Sequence, residues 1–274
     1  MNPAAPVNPW QNSDAYEQYV GRWSRQVAPQ FLAWLNIPHR QRWLDVGCGT
    51  GALCAAIADH CAPAAVIGVE PSDGFLEVAI ANLGERALFY SGSAANLPLP
   101  SGSVDVVVSG LVLNFVPNIA AALSEMSRVA AHGGTIAAYV WDYADKMELM
   151  RYFWDAAIAA DLASTAIDEA LRFPVCKPQA LQTAFQYAGL QKVETAAVTV
   201  ATDFPSFDAY WQPFLGGQGP APAYAMSLSE HERQKLRQSL QERLPIKPDG
   251  SIHLVARAWL VRGQAVQQSV KPRL

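Results

Sequence analysis

A chain of 274 residues can bury a full hydrophobic core without disulfides or a structural metal. With 51% hydrophobic and 16% charged residues it is no disordered chain, and a net charge of −4 without a basic stripe argues against a nucleic-acid partner. Cys48, Cys54, Cys61 and Cys176 form no CxxC pair and have no His at ligand spacing, so no metal site and a reducing, cytoplasmic compartment are expected. The first residues carry Pro and Asn where a secretory signal needs a basic start and an apolar run. The longest apolar stretch, Val104–Val116, contains Asp105 and is too short to span a bilayer. A soluble protein without a membrane partner is expected.

In chain order, residues 1–12 hold three prolines and no apolar period, and are expected to lack fixed structure. Asp14 can cap a helix through Leu35, on which Tyr16, Tyr19, Trp23, Val27, Phe31 and Leu35 recur at helical spacing. Strands and helices then alternate. Trp43–Val46, Ala65–Val69, Ala87–Tyr90, Val104–Ser109 and Thr135–Val140 read as strands, with helices at Ala52–Cys61, Ser72–Asn82 and Ile119–Ala131. The last of these helices is expected to end on Gly133-Gly134, with His132 near its negative pole. Near-continuous apolar strands between helices indicate a parallel sheet covered on both faces. Beyond Trp141 come helical patterns at Lys146–Asp161 and Gln179–Tyr187, a strand at Val193–Ala201, a helical and loop-like segment Pro205–Leu244, and a strand at Ile252–Val261. The last two strands can form an antiparallel edge hairpin. The fold expected is α/β, doubly wound, with seven mostly parallel strands and a helical cap. One domain should occupy residues 13–263, with a lid helix at 14–35, a nucleotide-binding core at 42–142, a substrate cap at 143–250 and a mobile tail from 264 to 274.

The most informative stretch is Trp43-Leu44-Asp45-Val46-Gly47-Cys48-Gly49-Thr50-Gly51. Three glycines in five residues, between a buried strand and a helix, let the backbone turn sharply and approach a ligand closely. Asp45, beside the turn, repels a pyrophosphate but suits a ligand carrying an ammonium and a sulfonium. Glu70 closes the second strand, where a carboxylate can accept both hydroxyls of a ribose.

The run from Asp45 to Gly51 resembles the first motif of class I S-adenosylmethionine-dependent methyltransferases, especially the UbiE/COQ5-like (methyltransferase type 11) small-molecule group. The likeness extends over Ala15–Trp141, through Gly68-Val69-Glu70-Pro71-Ser72, Ser91–Pro100 and Ser103–Ser109. It implies S-adenosylmethionine as cofactor and a Rossmann-like fold. It further implies that Asp45, Gly47, Cys48, Gly49, Thr50 and Gly51 face the methionine and ribose, that Glu70 takes the ribose hydroxyls, and that Pro71, Ser93 and Ala94 surround the adenine. Ser109, Gly110 and Leu111 would line the methionine end. Where the family usually has an adenine-binding Asp, this chain has Ser93, a neutral and shorter acceptor.

Methyl transfer from a sulfonium needs alignment and water exclusion more than an acid or base, and no His stands out as a base. The acceptor-side candidates are Tyr16, Tyr19, Arg22, Trp23, Asn114 and Trp141, the aromatics being equally well explained as core. Arg22 can reach an acidic group from the lid helix. Two other readings share the turn: an NAD-dependent dehydrogenase, opposed by Asp45 and by the lack of a catalytic Lys, Tyr or His arrangement, and a non-catalytic nucleotide-binding module. No Asp/Asn-Pro-Pro-aromatic run follows the fourth strand, and Cys176 follows Val175 and not a proline, so the acceptor is expected to be a small molecule.

Overall fold

The computed structural model describes residues 17–163, 165–217 and 219–266. Tyr16, the expected N-terminal disorder, and the tail beyond Val266 lie outside them. Seven strands form one sheet in the order β3-β2-β1-β4-β5-β7-β6: β1 Arg42–Val46, β2 Ala65–Glu70, β3 Leu88–Ser91, β4 Val104–Gly110, β5 Ala130–Trp141, β6 Gln191–Phe204 and β7 Ile252–Gln264. The sheet is mostly parallel, with antiparallel strands at one edge, as the alternating pattern implied.

α1 spans Arg22–Leu35, shorter than the expected 14–35, while α2 Ala52–His60, α3 Asp73–Leu83, α4 Ile119–Val129 and α5 Glu148–Ala159 lie within two residues of the bounds that the apolar spacing gave. A single π-helical turn, Glu17–Gly21, leads into α1, which carries Pro29 in its interior. Asn118 caps α4 by accepting the Ala121 N–H. Two expectations fail at the other end of that helix. α4 stops at Val129, and Gly133-Gly134 lie inside β5, where the register against β4 jumps from Val104↔Ala130 to Val106↔Thr135. The glycines serve this bulge and not a helix cap, because a Cβ on Gly134 would sit 2.9 Å from the Ala131 and Asp105 carbonyl oxygens. His132 is therefore a strand residue.

The remaining helices are α6 Glu169–Arg172, α7 Pro178–Tyr187, α8 Phe207–Trp211, α9 Pro220–Ser227 and α10 Glu230–Arg243. Contacts divide the chain into two compact units. The sheet unit comprises Val27–Val140, Val175–Val198 and the described residues from Ala258 on; the aromatic unit comprises the described residues up to Gln26, Trp141–Pro174 and Thr199–Arg257. In the sheet unit, Trp43, Leu44, Val106, Val107 and Ile136 make a dry core. In the aromatic unit, Phe153 stacks on Phe214 at 4.5 Å, and Phe214 meets Tyr19 and Tyr210 at 5.5 Å. No helix of the described residues is long and apolar enough to cross a membrane, and no group of three or more His, Cys, Asp or Glu among them can hold a metal.

Candidate functional site

Parallel pairing decides what meets at the carboxyl edge of the sheet. Asp45 is level with Gly68 on one side and Val108 on the other, and Glu70 with Ser91. The ends of β1, β2, β3 and β4 therefore open on one crevice, beside the point where the strand order reverses between β1 and β4.

The turn after β1 is held by specific bonds. Gly47 and Cys48 donate their N–H groups to the Val69 carbonyl at 2.8 and 3.2 Å, and Gly51 donates to Cys48 at 2.9 Å. Gly47, Gly49 and Gly51 have φ of +76°, +53° and +86°. Their surroundings differ. A Cβ on Gly47 would lie 2.5 Å from Val112 Cγ1 and one on Gly51 2.8 Å from Leu83 Cδ1, whereas one on Gly49 meets nothing within 4 Å. Gly47 and Gly51 thus serve packing, and Gly49 borders open space. Thr50 is buried, and its carbonyl accepts the Asn82 side-chain N–H at 3.2 Å.

Glu70 braces the turn. Its two carboxylate oxygens accept the Gly49 and Ser72 N–H groups, both at 3.1 Å. Burial raises its pKa, opposed by these two bonds. A carboxylate has about four lone-pair sites, so roughly two remain for a ligand. Asp45 is only 1% exposed. Its Oδ2 accepts the Cys54 thiol at 3.4 Å and its Oδ1 has no partner. Burial pushes its pKa to about 7, against the Cys54 bond and with help from the Glu70 charge. A cation at Oδ1 would supply what the protein leaves out. Sequence reasoning missed Cys54 here, since a contact from strand to helix across nine residues has no spacing signature. Its thiol, hydrogen-bonded to Cys48 and buried, is held well above its usual pKa and stays a donor.

The other expected residues divide. Ser93 is exposed and Ala94 half-buried, in a loop closed by the Asn96 N–H donating to the Ser93 carbonyl at 3.0 Å. Glu125 and Arg128 of α4 steady the next residues: Glu125 accepts the Leu97 N–H, and Arg128 donates to the Leu97 and Leu99 carbonyls. Pro71 is exposed. Ser109 is fully buried, and its hydroxyl donates to the Val46 carbonyl at 2.9 Å. It ties β4 to β1. Gly110 is required by Tyr139, whose hydroxyl would be 2.6 Å from a Cβ there. Leu111 turns the chain with φ +61°. Asn114, in the short 3-10 turn Leu113–Phe115, has both amide atoms shielded from solvent and unpartnered.

The aromatic unit holds the remaining candidates. Tyr19, Trp23 and Trp141 are buried, and the Tyr19 hydroxyl and Trp23 Nε1 have no partner. Glu169, not anticipated, is 1% exposed: Trp154 Nε1 donates to its Oε2 at 2.8 Å while Oε1 is unpartnered, and burial lifts its pKa to about 7. Nothing in a lone Asp-Glu pair before a short helix announces this. On the surface, His253 Nδ1 lies 2.7 Å from Asp203 Oδ1 and Nε2 3.2 Å from Ser251 Oγ. The spacing imitates a hydrolytic triad. However, the His and Asp side chains are 57% and 60% exposed, and Ser251 also donates to Asp249, so the hydroxyl is not activated.

Residues 44–138 match the family described as "Methyltransferase domain". Demethylmenaquinone methyltransferase from Roseiflexus castenholzii is 37% identical over 101 residues, which cover 36% of this chain and 42% of that protein. The chain thus aligns with under half of that relative's length. Among solved structures, a methyltransferase assigned to an antibiotic biosynthesis pathway in Anabaena variabilis superposes with a TM-score of 0.61 at 22% identity, covering 86% of this chain and 96% of that one. The cyclase SpnF superposes at 0.54 with 17% identity, covering 97% and 90%. These structural likenesses give the fold, and a cyclase among them shows that the fold alone does not dictate the reaction. The sequence match likens residues 44–138 to a methyltransferase domain, and the solved structures share the fold.

Proposed function

We propose that the protein transfers a methyl group from S-adenosylmethionine to a small-molecule acceptor by in-line displacement. The observation that carries this reading is the turn itself: Glu70 fixes Gly49 by its N–H while the space beside Gly49 stays open. S-adenosylmethionine supplies the methyl group on a sulfonium with a good leaving group. Glu70 takes the ribose hydroxyls on its spare lone pairs, and Asp45 Oδ1 faces the cationic amino-acid end. Pro71, Ser93 and Ala94 border the adenine, and Gly110, Leu111 and Asn114 border the methionine. Ionised Asp45 disfavours a pyrophosphate, which speaks against NAD. The Cys54 thiol must remain reduced to donate to Asp45, which suits a cytoplasmic protein.

In this reading the chain works as one catalytic domain with divided labour. In it the cofactor belongs to the sheet unit, and Tyr19, Arg22, Trp23 and Trp141 are the candidate acceptor residues. Binding calorimetry tests it. S-adenosylhomocysteine should bind in the micromolar range, about −8 kcal/mol. NAD binding without any response to S-adenosylhomocysteine would overturn the reading.

A further inference from the structure

Arg22 is the first residue of α1, and its guanidinium lies over the Trp23 ring at 4.3 Å and over the Phe204 ring at 5.1 Å. Nε and Nη2 are shielded from solvent and have no hydrogen-bond partner. Ring faces stabilise a cation but do not accept its N–H groups in line, so the desolvated donors remain unsatisfied. Among the described residues, Arg22 has no ion-pair partner, and burial alone is what pulls its pKa down. Other arginines of this unit are neutralised: Arg151 pairs with Asp168 and Asp155, and Arg257 with Asp142 and Asp145.

Two further polar groups of this unit are buried without a partner. Trp23 is 6% exposed and its Nε1 is unpartnered. Thr202 is 0% exposed with an unpartnered hydroxyl, and it stands two residues before Phe204 on β6, hence on the same face of that strand. Three of these four unsatisfied atoms are obligatory donors and the fourth can donate. A planar fork of N–H groups beside two rings that cross at 71° matches the geometry of an oxyanion, and the rings offer apolar surface to the body that carries it. A cationic or purely apolar ligand would leave the three N–H donors unpaired.

We propose that Arg22, Trp23 and Thr202, walled by Phe204, form a binding site for the anionic oxygen group, carboxylate or phosphate, of an aromatic acceptor. The assignment of that ligand as acceptor rests on the methyl-transfer reading; the anion site rests on the aromatic unit alone.

The test is a titration of indole-15N-labelled protein, the Trp23 signal being identified by its loss in Trp23→Phe. Benzoate, phenyl phosphate and neutral benzamide serve as probes. At least one anion should shift the Trp23 signal saturably, benzamide should not, and which anion binds tighter names the group. Arg22→Gln should weaken that binding at least tenfold, with Arg22→Lys in between because it keeps the charge and loses the fork. S-adenosylhomocysteine binding, measured on the same samples, separates the two readings: its absence alongside anion binding breaks the methyltransferase assignment and leaves the anion site standing. No shift with either anion, equal binding of benzamide, or undiminished binding in both Arg22 variants overturns the proposal.

Discussion

The carboxyl edge of the sheet and the aromatic unit treat their buried polar atoms differently, although the sheet unit also leaves Trp43, Ser103 and Ser127 each with an unpartnered atom. At the carboxyl edge of the sheet nearly every group is engaged. Both Glu70 oxygens, the Ser109 hydroxyl and the Thr50 carbonyl have protein partners, and Asp45 Oδ1 and the Asn114 amide stand out. The aromatic unit instead leaves Tyr19, Arg22, Trp23, Glu169 and Thr202 each with an unsatisfied atom. A site assembled from a braced backbone turn suits a ligand common to many enzymes. In the proposed reading, the open N–H groups of Arg22 and Trp23 suit the acceptor. Each unit also buries one acid whose pKa is raised to about 7, Asp45 and Glu169.

The largest expected effect separates packing glycines from the ligand-facing one. Gly47→Ala puts a methyl 2.5 Å from Val112 Cγ1 at φ +76°, and should destabilise the fold by about 3 kcal/mol in urea unfolding. Gly49→Ala, with open space at φ +53°, should cost about 1 kcal/mol, the left-handed strain alone. Equal losses would mean that the open space beside Gly49 is not real.

Next in size is Glu70. Glu70→Ala removes a charged acceptor and the brace on Gly49, so S-adenosylhomocysteine affinity should drop by about 2–4 kcal/mol, roughly 30- to 1,000-fold. Ser93→Ala, at an exposed position, should cost about 0.5–1.5 kcal/mol. Calorimetry on both variants checks the ranking, and comparable losses would move the ribose contact away from Glu70.

A smaller effect contrasts the buried acids. The folded protein holds a proton on Asp45 up to about pH 7, while the unfolded chain releases it near 3.8. Asp45 therefore lowers stability as pH rises from about 4 to 7, and the penalty is complete above that window. Asp45→Asn should be more stable than wild type at pH 8, by about 1–3 kcal/mol, and level with it near pH 4. Glu169→Gln should act likewise between about 4.5 and 7, because the amide oxygen still accepts from Trp154. Thermal unfolding across pH 4–8 decides. A variant that keeps the wild-type slope would clear its acid of the effect.

The sheet and its turn were legible because their signals are local. A buried strand, three glycines and a helix follow one another within twenty residues, and Glu70 closes the next strand. What escaped reading depends on pairing across the chain. Gly133-Gly134 looked like a helix cap because the bulge exists only against β4, and the Ser109 bond to Val46 joins two strands 63 residues apart. The Glu169–Trp154 and Cys54–Asp45 bonds are of the same kind. Arg22 was visible as a cation on an aromatic helix, but its lack of a partner is a property of the folded chain.

The central claim is that the turn around Gly49 holds the cofactor. The affinity of Gly49→Val for S-adenosylhomocysteine, measured by calorimetry on protein whose circular dichroism matches wild type, tests it most directly. A side chain in that space should reduce binding at least a hundredfold, about 2.7 kcal/mol. Wild-type affinity in the folded variant would contradict the account and place the cofactor elsewhere.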